Sequence, residues 1–181
     1  GLDEDADTFA PFTRAAPRRA IWLGINLITA FIAASVINLF QDTIEKVVAL
    51  AVLMPIVASM GGVAGTQTLT LVVRGIAMGQ VVKNNQAWLV NRELMIGVMN
   101  GVLWAAVVAI AASLWFHDWN IGLLIAAAMV INMVTAALMG AVLPLLMTRV
   151  SIDPALAGGV VLTTVTDVVG FVSFLGLATL F

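Results

Sequence analysis

Hydrophobic residues in this chain come in long blocks, with no strand-like alternation, and charged residues mark where the blocks end. No charge falls in residues 20–41, 47–73, 94–117 or 119–148, and from Pro154 to Phe181 the one charged side chain is Asp167. A helix rises about 1.5 Å per residue and needs about 20 apolar residues to cross the hydrocarbon of a bilayer. The blocks therefore predict five membrane-spanning helices, at about 20–40, 44–73, 93–116, 120–147 and 155–181.

Composition points the same way. Apolar residues make up 62% of the chain and charged residues 10%, against about 25% charged in an ordinary soluble domain. Mean hydropathy is +1.10. A soluble fold of 181 residues has too little interior to hide that much apolar surface. The expected class is an all-α membrane protein, multi-pass in the cell membrane, with lipid as its surroundings. The absence of cysteine excludes disulfides, thiolate catalysis and cysteine zinc sites. A net charge of −2, with no basic run longer than Arg18–Arg19, argues against nucleic acid as a partner.

Basic residues give an orientation. With five spans, one side of the membrane receives Arg14, Arg18, Arg19, Arg74, Lys83, Arg92 and Arg149, and the other receives only Lys46. By the positive-inside rule the N-terminus is cytoplasmic and the C-terminus external. Trp22 then lies near the inner interface, and Trp115 and Trp119 near the outer one. Residues 1–19 carry Asp3, Glu4, Asp5 and Asp7, and Pro11 and Pro17 discourage a continuous helix. They read as an acidic cytoplasmic lead-in or linker ahead of a transmembrane domain over 20–181. Residues 75–92 read as a short interfacial stretch.

Polar residues inside the spans need a reason, and Asp167 is the largest exception. It lies near the middle of the fifth span, where a carboxylate costs at least about 2.5–3.5 kcal/mol. No Lys or Arg lies within a span to neutralise it. It is protonated, or it faces a wet cavity, or its partner is an external cation. Thr163 and Thr164 stand one turn away with oxygens, and Gly159 and Gly170 leave room on the same helix. The second span carries Pro55, then Gly61, Gly62 and Gly65. This pattern permits a departure from helical backbone, whose freed carbonyls are able to serve as cation ligands. Its other reading is a Gly-x-x-x-Gly packing face. Asn100 and Asn132 each add an amide, as ligand or as interhelical glue. Asp42, Glu45 and Asp118 place three acids at the outer mouth beside Lys46 and the sole histidine, His117, which is expected to be an exposed loop residue. The donors are all oxygen, which suits hard cations such as Mg²⁺, Ca²⁺ and Mn²⁺. One Asp per chain is thin for a divalent ion, and a twofold homodimer doubles it.

Two segments resemble a known family. Pro55 through Gln67, continuing through Thr68-Leu69-Thr70-Leu71-Val72-Val73-Arg74-Gly75, is similar to the second span of the MgtE family of Mg²⁺ channels. Ser151-Ile152-Asp153-Pro154-Ala155, followed by Thr163-Thr164-Val165-Thr166-Asp167-Val168-Val169-Gly170, is similar to the start and middle of that family's fifth span. The resemblance covers nearly the whole chain. It implies a homodimer with a pore on the twofold axis, lined by the second and fifth spans. Asp167 would bind hydrated Mg²⁺ at the centre, with the Thr163 carbonyl close by, and backbone at Gly61, Gly62, Gly65 and Gly159 would line the path. The family usually has Asn where Val63 stands, and a proline where this chain reads Gly158-Gly159-Val160-Val161. Both changes bear on selectivity and rate more than on the fold.

The function expected is Mg²⁺ transport through a dimeric channel, with Mg²⁺ as the transported ion and no prosthetic cofactor. The alternative is a Na⁺- or H⁺-coupled divalent cation exchanger of the same fold. The chain is not expected to be an enzyme. An intramembrane aspartyl protease needs two carboxylates sharing a proton, and no other span interior holds a second Asp.

Overall fold

A computed structural model describes residues 12–180. Six helices follow one another: α1 (Phe12–Asn38), α2 (Gln41–Lys46), α3 (Ala49–Ala77), α4 (Gln86–Phe116), α5 (Trp119–Arg149) and α6 (Pro154–Leu180). Among the described residues there is no strand. The five long helices are each apolar enough to cross a membrane, and α2 is a short turn between the first two of them.

The apolar blocks fix where the helices lie but not where they begin. α1 starts at Phe12 and passes through Pro17, so the expectation of a non-helical lead-in fails over residues 12–19. Pro17 sits close to the start of the helix, where only one backbone bond is lost. Residues 1–11, with the acidic cluster and Pro11, lie outside the described residues. α4 begins at Gln86, one full turn and more before Glu93. α3 runs unbroken through Pro55, Gly61, Gly62 and Gly65. The expected departure from helical backbone does not occur; Pro55 can free only the carbonyl of Ala51, one turn before it.

α5 is the axis of the bundle. Half of its apolar stretch is buried, and α3, α4 and α6 all pack on it. α3 and α6 also pack on each other, whereas α1 leans chiefly on α6. One core cluster joins Leu50, Leu53 and Val57 of α3 to Ala112 of α4, Leu124, Ile125 and Ala128 of α5, and Phe174 and Leu175 of α6. Between apolar helices in lipid, close packing replaces the hydrophobic drive, so small residues mark the contacts. Gly97 of α4 faces the Ala137 side chain of α5, and Gly122 of α5 faces Ser113 of α4.

The turns are set by polar residues. The α4–α5 turn is only two residues long. His117 takes a left-handed conformation (φ 56°), and the Asp118 carboxylate accepts from Asn120 N at 2.8 Å. One of the three expected mouth acids is thus occupied as a helix cap. A second, Glu45, accepts from Gln41 Nε2 at 2.9 Å. In the connector after α3, Gly79 takes φ 67°. Asn85 ties this loop by donating to the Gln80 carbonyl and accepting from Val82 N.

Candidate functional site

α6 begins on one of the two segments singled out in the sequence. Asp153 Oδ1 accepts from Ala155 N at 2.8 Å. Pro154 takes the first helical position, where its missing N–H costs nothing. From that start, Gly159, Thr163 and Asp167 fall four residues apart along one stripe of the helix. Gly159 and Thr163 are exposed and Asp167 is partly buried.

The threonines of α6 shape the chemistry of this stripe. Thr163 Oγ1 donates to the Gly159 carbonyl at 2.9 Å, and Thr164 Oγ1 donates to the Val160 carbonyl at 2.7 Å. With their protons committed to the helix, both hydroxyls offer only lone pairs outward. The Thr163 carbonyl itself accepts from Thr166 Oγ1 at 3.0 Å. α3 carries a comparable accessible stripe of Ser59, Gly62, Thr66 and Thr70. Its Thr66 Oγ1 donates to the Gly62 carbonyl at 2.8 Å. An acceptor-rich helix surface of this kind suits a hydrated hard cation, whose bound waters are donors.

Asp167 supplies the charge. The ion pair among the described residues is Arg92–Glu93, so no cationic side chain among them neutralises Asp167. Nor do three acidic or imidazole side chains gather anywhere among the described residues. On this stripe Asp167 is the one carboxylate, with Thr163 and Thr164 one turn before it.

The glycines divide into two pairs. A Cβ at Gly62 or Gly159 would meet nothing within 4 Å. Gly61 and Gly65 turn inward instead: Gly61 abuts the Asn132 amide of α5, and a Cβ on Gly65 would lie 3.0 Å from the Leu162 side chain of α6. Their spacing reports close packing of α3 against its neighbours. The structure does not bring Gly61 and Gly65 to the accessible stripe that holds Gly62. Asn100 is exposed on α4 and lines a groove of about 370 Å³ with Gln67, Thr68 and Trp104, whereas Asn132 is fully buried.

One buried acid is not marked by the sequence. Glu93 is 4% exposed. Its Oε1 accepts from Arg92 Nη1 at 2.8 Å, and its Oε2 accepts from Thr68 Oγ1 of α3 at 3.4 Å. The Arg-Glu pair reads in sequence as the polar edge of an apolar block. Only the packing of α4 turns Glu93 inward, and no spacing signal reveals that. α3 and α4 otherwise touch little, so Glu93 is a tie between them. Arg92 is half in solvent, which weakens the ionic share. Glu93→Ala is expected to destabilise the protein by about 1–2 kcal/mol, chiefly through lost hydrogen bonds. Glu93→Gln keeps the shape and one acceptor oxygen, which can still accept from Arg92, while its NH2 can donate to Thr68 Oγ1, and it is expected to cost less than Glu93→Ala. Thermal unfolding in detergent micelles measures both.

Comparison with known proteins adds the family. The model of the MgtE family, described as a divalent cation transporter, matches residues 54–177, from α3 through most of α6. The chain is 31% identical over 189 aligned positions to the magnesium transporter MgtE of Bacillus subtilis, covering 99% of this chain and 42% of that protein. It is 30% identical to the magnesium transporter MgtE of Enterococcus faecalis, over 100% of this chain and 40% of that one. To the protein of the same name from Thermus thermophilus it is 28% identical, over 90% and 36%. The chain thus spans about two fifths of the length of these curated relatives. The match runs through both segments that frame the stripes of α3 and α6, and the chain belongs to the MgtE family of divalent cation transporters.

Proposed function

We propose that two copies of this chain form a Mg²⁺-conducting channel in the cell membrane, with α3 and α6 of each copy around a pore on the twofold axis. The observation that carries this reading is Asp167: a carboxylate in an apolar helix, without a cationic partner among the described residues, on a stripe with Thr163 and Gly159. Intramembrane acids of this kind mark ion pathways. Relatives named as magnesium transporters support the choice of ion.

In this reading two Asp167 carboxylates balance the charge of one Mg²⁺. The ion keeps its waters, because Mg²⁺ dehydrates reluctantly. Those waters donate to the Asp167 pair and to the outward lone pairs of Thr163 and Thr66, beside the Thr163 carbonyl that accepts from Thr166. Gly62 and Gly159 leave width for the hydrated ion, while Gly61 and Gly65 act from behind by letting α3 lie close to α5 and α6. Membrane potential supplies the drive, about 2.3 kcal/mol per charge per 100 mV. Residues 1–19 form the acidic cytoplasmic linker to the transport domain over 20–181, with the N-terminus cytoplasmic.

The test is Mg²⁺ uptake into proteoliposomes that hold a Mg²⁺-sensitive dye, under an imposed potassium-diffusion potential and with no Na⁺ or pH gradient. Uptake that rises with the potential is expected. Uptake that appears only when a Na⁺ or proton gradient is added would replace the channel with a coupled exchanger.

A further inference from the structure

We propose that Asn132 is a positioning residue for Asp167: its side-chain amide sets the spacing of α3 and α6 and so tunes which cation the carboxylate holds. The inference rests on the proposed pore between these two helices.

Asn132 lies on α5, the helix on which α3 and α6 both pack, and is 0% exposed. Its Nδ2 donates to the Val57 carbonyl of α3 at 2.8 Å. The amide fits a slot between two glycines of different helices. A Cβ on Gly61 of α3 would collide with its Nδ2 and lie 2.7 Å from its Cγ. A Cβ on Gly170 of α6 would lie 2.8 Å from the same Nδ2 and 3.4 Å from Val57 Cγ1. Val57, Asn132 and Gly170 thus form one contact across three helices. Gly170 is three residues beyond Asp167, one helical turn away on neighbouring faces.

Asn132 Oδ1 has no hydrogen-bond partner among the described residues. A leucine has the same branched outline, though it is bulkier, and would leave no polar atom unpaired in an apolar interior. What the amide provides and a leucine does not is direction: one donor aimed at one carbonyl holds α3 at a fixed height and distance against α5. With Gly170 seated on the other side of the amide, the same group fixes α6. Hydrated Mg²⁺ and hydrated Ca²⁺ differ in size and in how readily they lose water. A site made of one carboxylate per chain discriminates between them through the separation its supporting helices impose.

The experiment compares the full chain with Asn132→Leu, Asn132→Ser and Gly97→Ala. Gly97 faces α5 from α4 and touches neither α3 nor α6 in its tight contacts, so Gly97→Ala serves as a control for general loss of packing. Two readouts are taken: the rise in melting temperature with Mg²⁺ or Ca²⁺, and uptake of each ion by proteoliposomes. The Asn132 variants are expected to raise the half-saturating Mg²⁺ concentration about fivefold or more and to reduce the Mg²⁺-over-Ca²⁺ preference by a similar factor. Gly97→Ala, though less stable, is expected to keep both values. If Asn132→Leu does not insert, Asn132→Ser reads the same quantities. Asn132 variants that melt earlier with unchanged half-saturation and preference overturn the proposal, as does an equal change in Gly97→Ala. A parent chain that takes up no Mg²⁺ and is not stabilised by it overturns the channel reading on which the proposal stands, a result distinct from both.

Discussion

Asp167→Ala is expected to reduce potential-driven Mg²⁺ uptake by at least about a hundredfold while leaving the protein as stable as before, or more so. The two effects have opposite signs for a physical reason. In a twofold channel the substitution removes two negative charges from the centre of the pore. Two unit charges at about 4 Å and an effective dielectric near 20 interact by about 4 kcal/mol, and each 1.4 kcal/mol is about tenfold in occupancy. Folding gains from the same change. A carboxylate inside the membrane costs at least about 2.5–3.5 kcal/mol, and no cationic partner among the described residues recovers it. Asp167→Asn separates charge from shape: it keeps the size and an acceptor oxygen, and is expected to lose most of the uptake. Dye-reported uptake and a melting curve on the same preparations give both quantities. Equal uptake in parent and Asp167→Ala removes Asp167 from the mechanism, and a large fall in melting temperature makes it a structural residue instead.

That separation matters because the accessible and the packed residues of α3 and α6 alternate within a few positions. Charge-free blocks make five helices legible, since each block is long enough to cross a bilayer and is closed by charge at its ends. The start of α6 is legible through the resemblance of Ser151 through Ala155 to the start of the family's fifth span, and that start fixes the stripe of Gly159, Thr163 and Asp167; the cap at Asp118, read as a mouth acid, is not. The roles of the second-span glycines are not legible. Gly61, Gly62 and Gly65 share one chemistry in sequence, yet Gly61 and Gly65 lie against side chains of α5 and α6 while Gly62 has open space around it. Which way each turns depends on where α5 crosses α3, a long-range fact that no local spacing contains. Glu93 and Asn132 were hidden for the same reason. An acid beside an arginine looks like a membrane edge, and a lone amide looks like either a ligand or glue, until the neighbouring helix shows what it touches.

The same crossing predicts a large loss of stability from a single methyl group. Gly140 of α5 meets α3 backbone to backbone: a Cβ there would lie 2.6 Å from the Gly65 carbonyl oxygen, 2.9 Å from Thr68 Cβ and 3.2 Å from Leu69 N. Two of these three atoms belong to the main chain of a continuous helix, so no rotamer change relieves the overlap. α3 and α5 must move apart along their contact, and the packing on which the bundle depends is lost with them. Gly140→Ala is expected to cost about 1–3 kcal/mol, the usual range for overpacking, and Gly140→Leu to prevent a stable fold. Gly65→Ala is expected to cost less, because the atoms it meets are the branched end of the Leu162 side chain, which can rotate. Gly62→Ala and Gly159→Ala meet nothing and are expected to leave the melting temperature unchanged or to raise it, since alanine is favoured over glycine inside a helix by about 1 kcal/mol. Under the channel reading those two substitutions lower Mg²⁺ uptake without weakening the fold, because a methyl group there intrudes on the path of a hydrated ion. Melting curves for the four variants should therefore rank Gly140 as most costly, Gly65 next, and Gly62 with Gly159 as harmless. A Gly140→Ala protein that melts with the parent would show that α3 and α5 are not in backbone contact, and would take the positioning of α3 by α5 down with it.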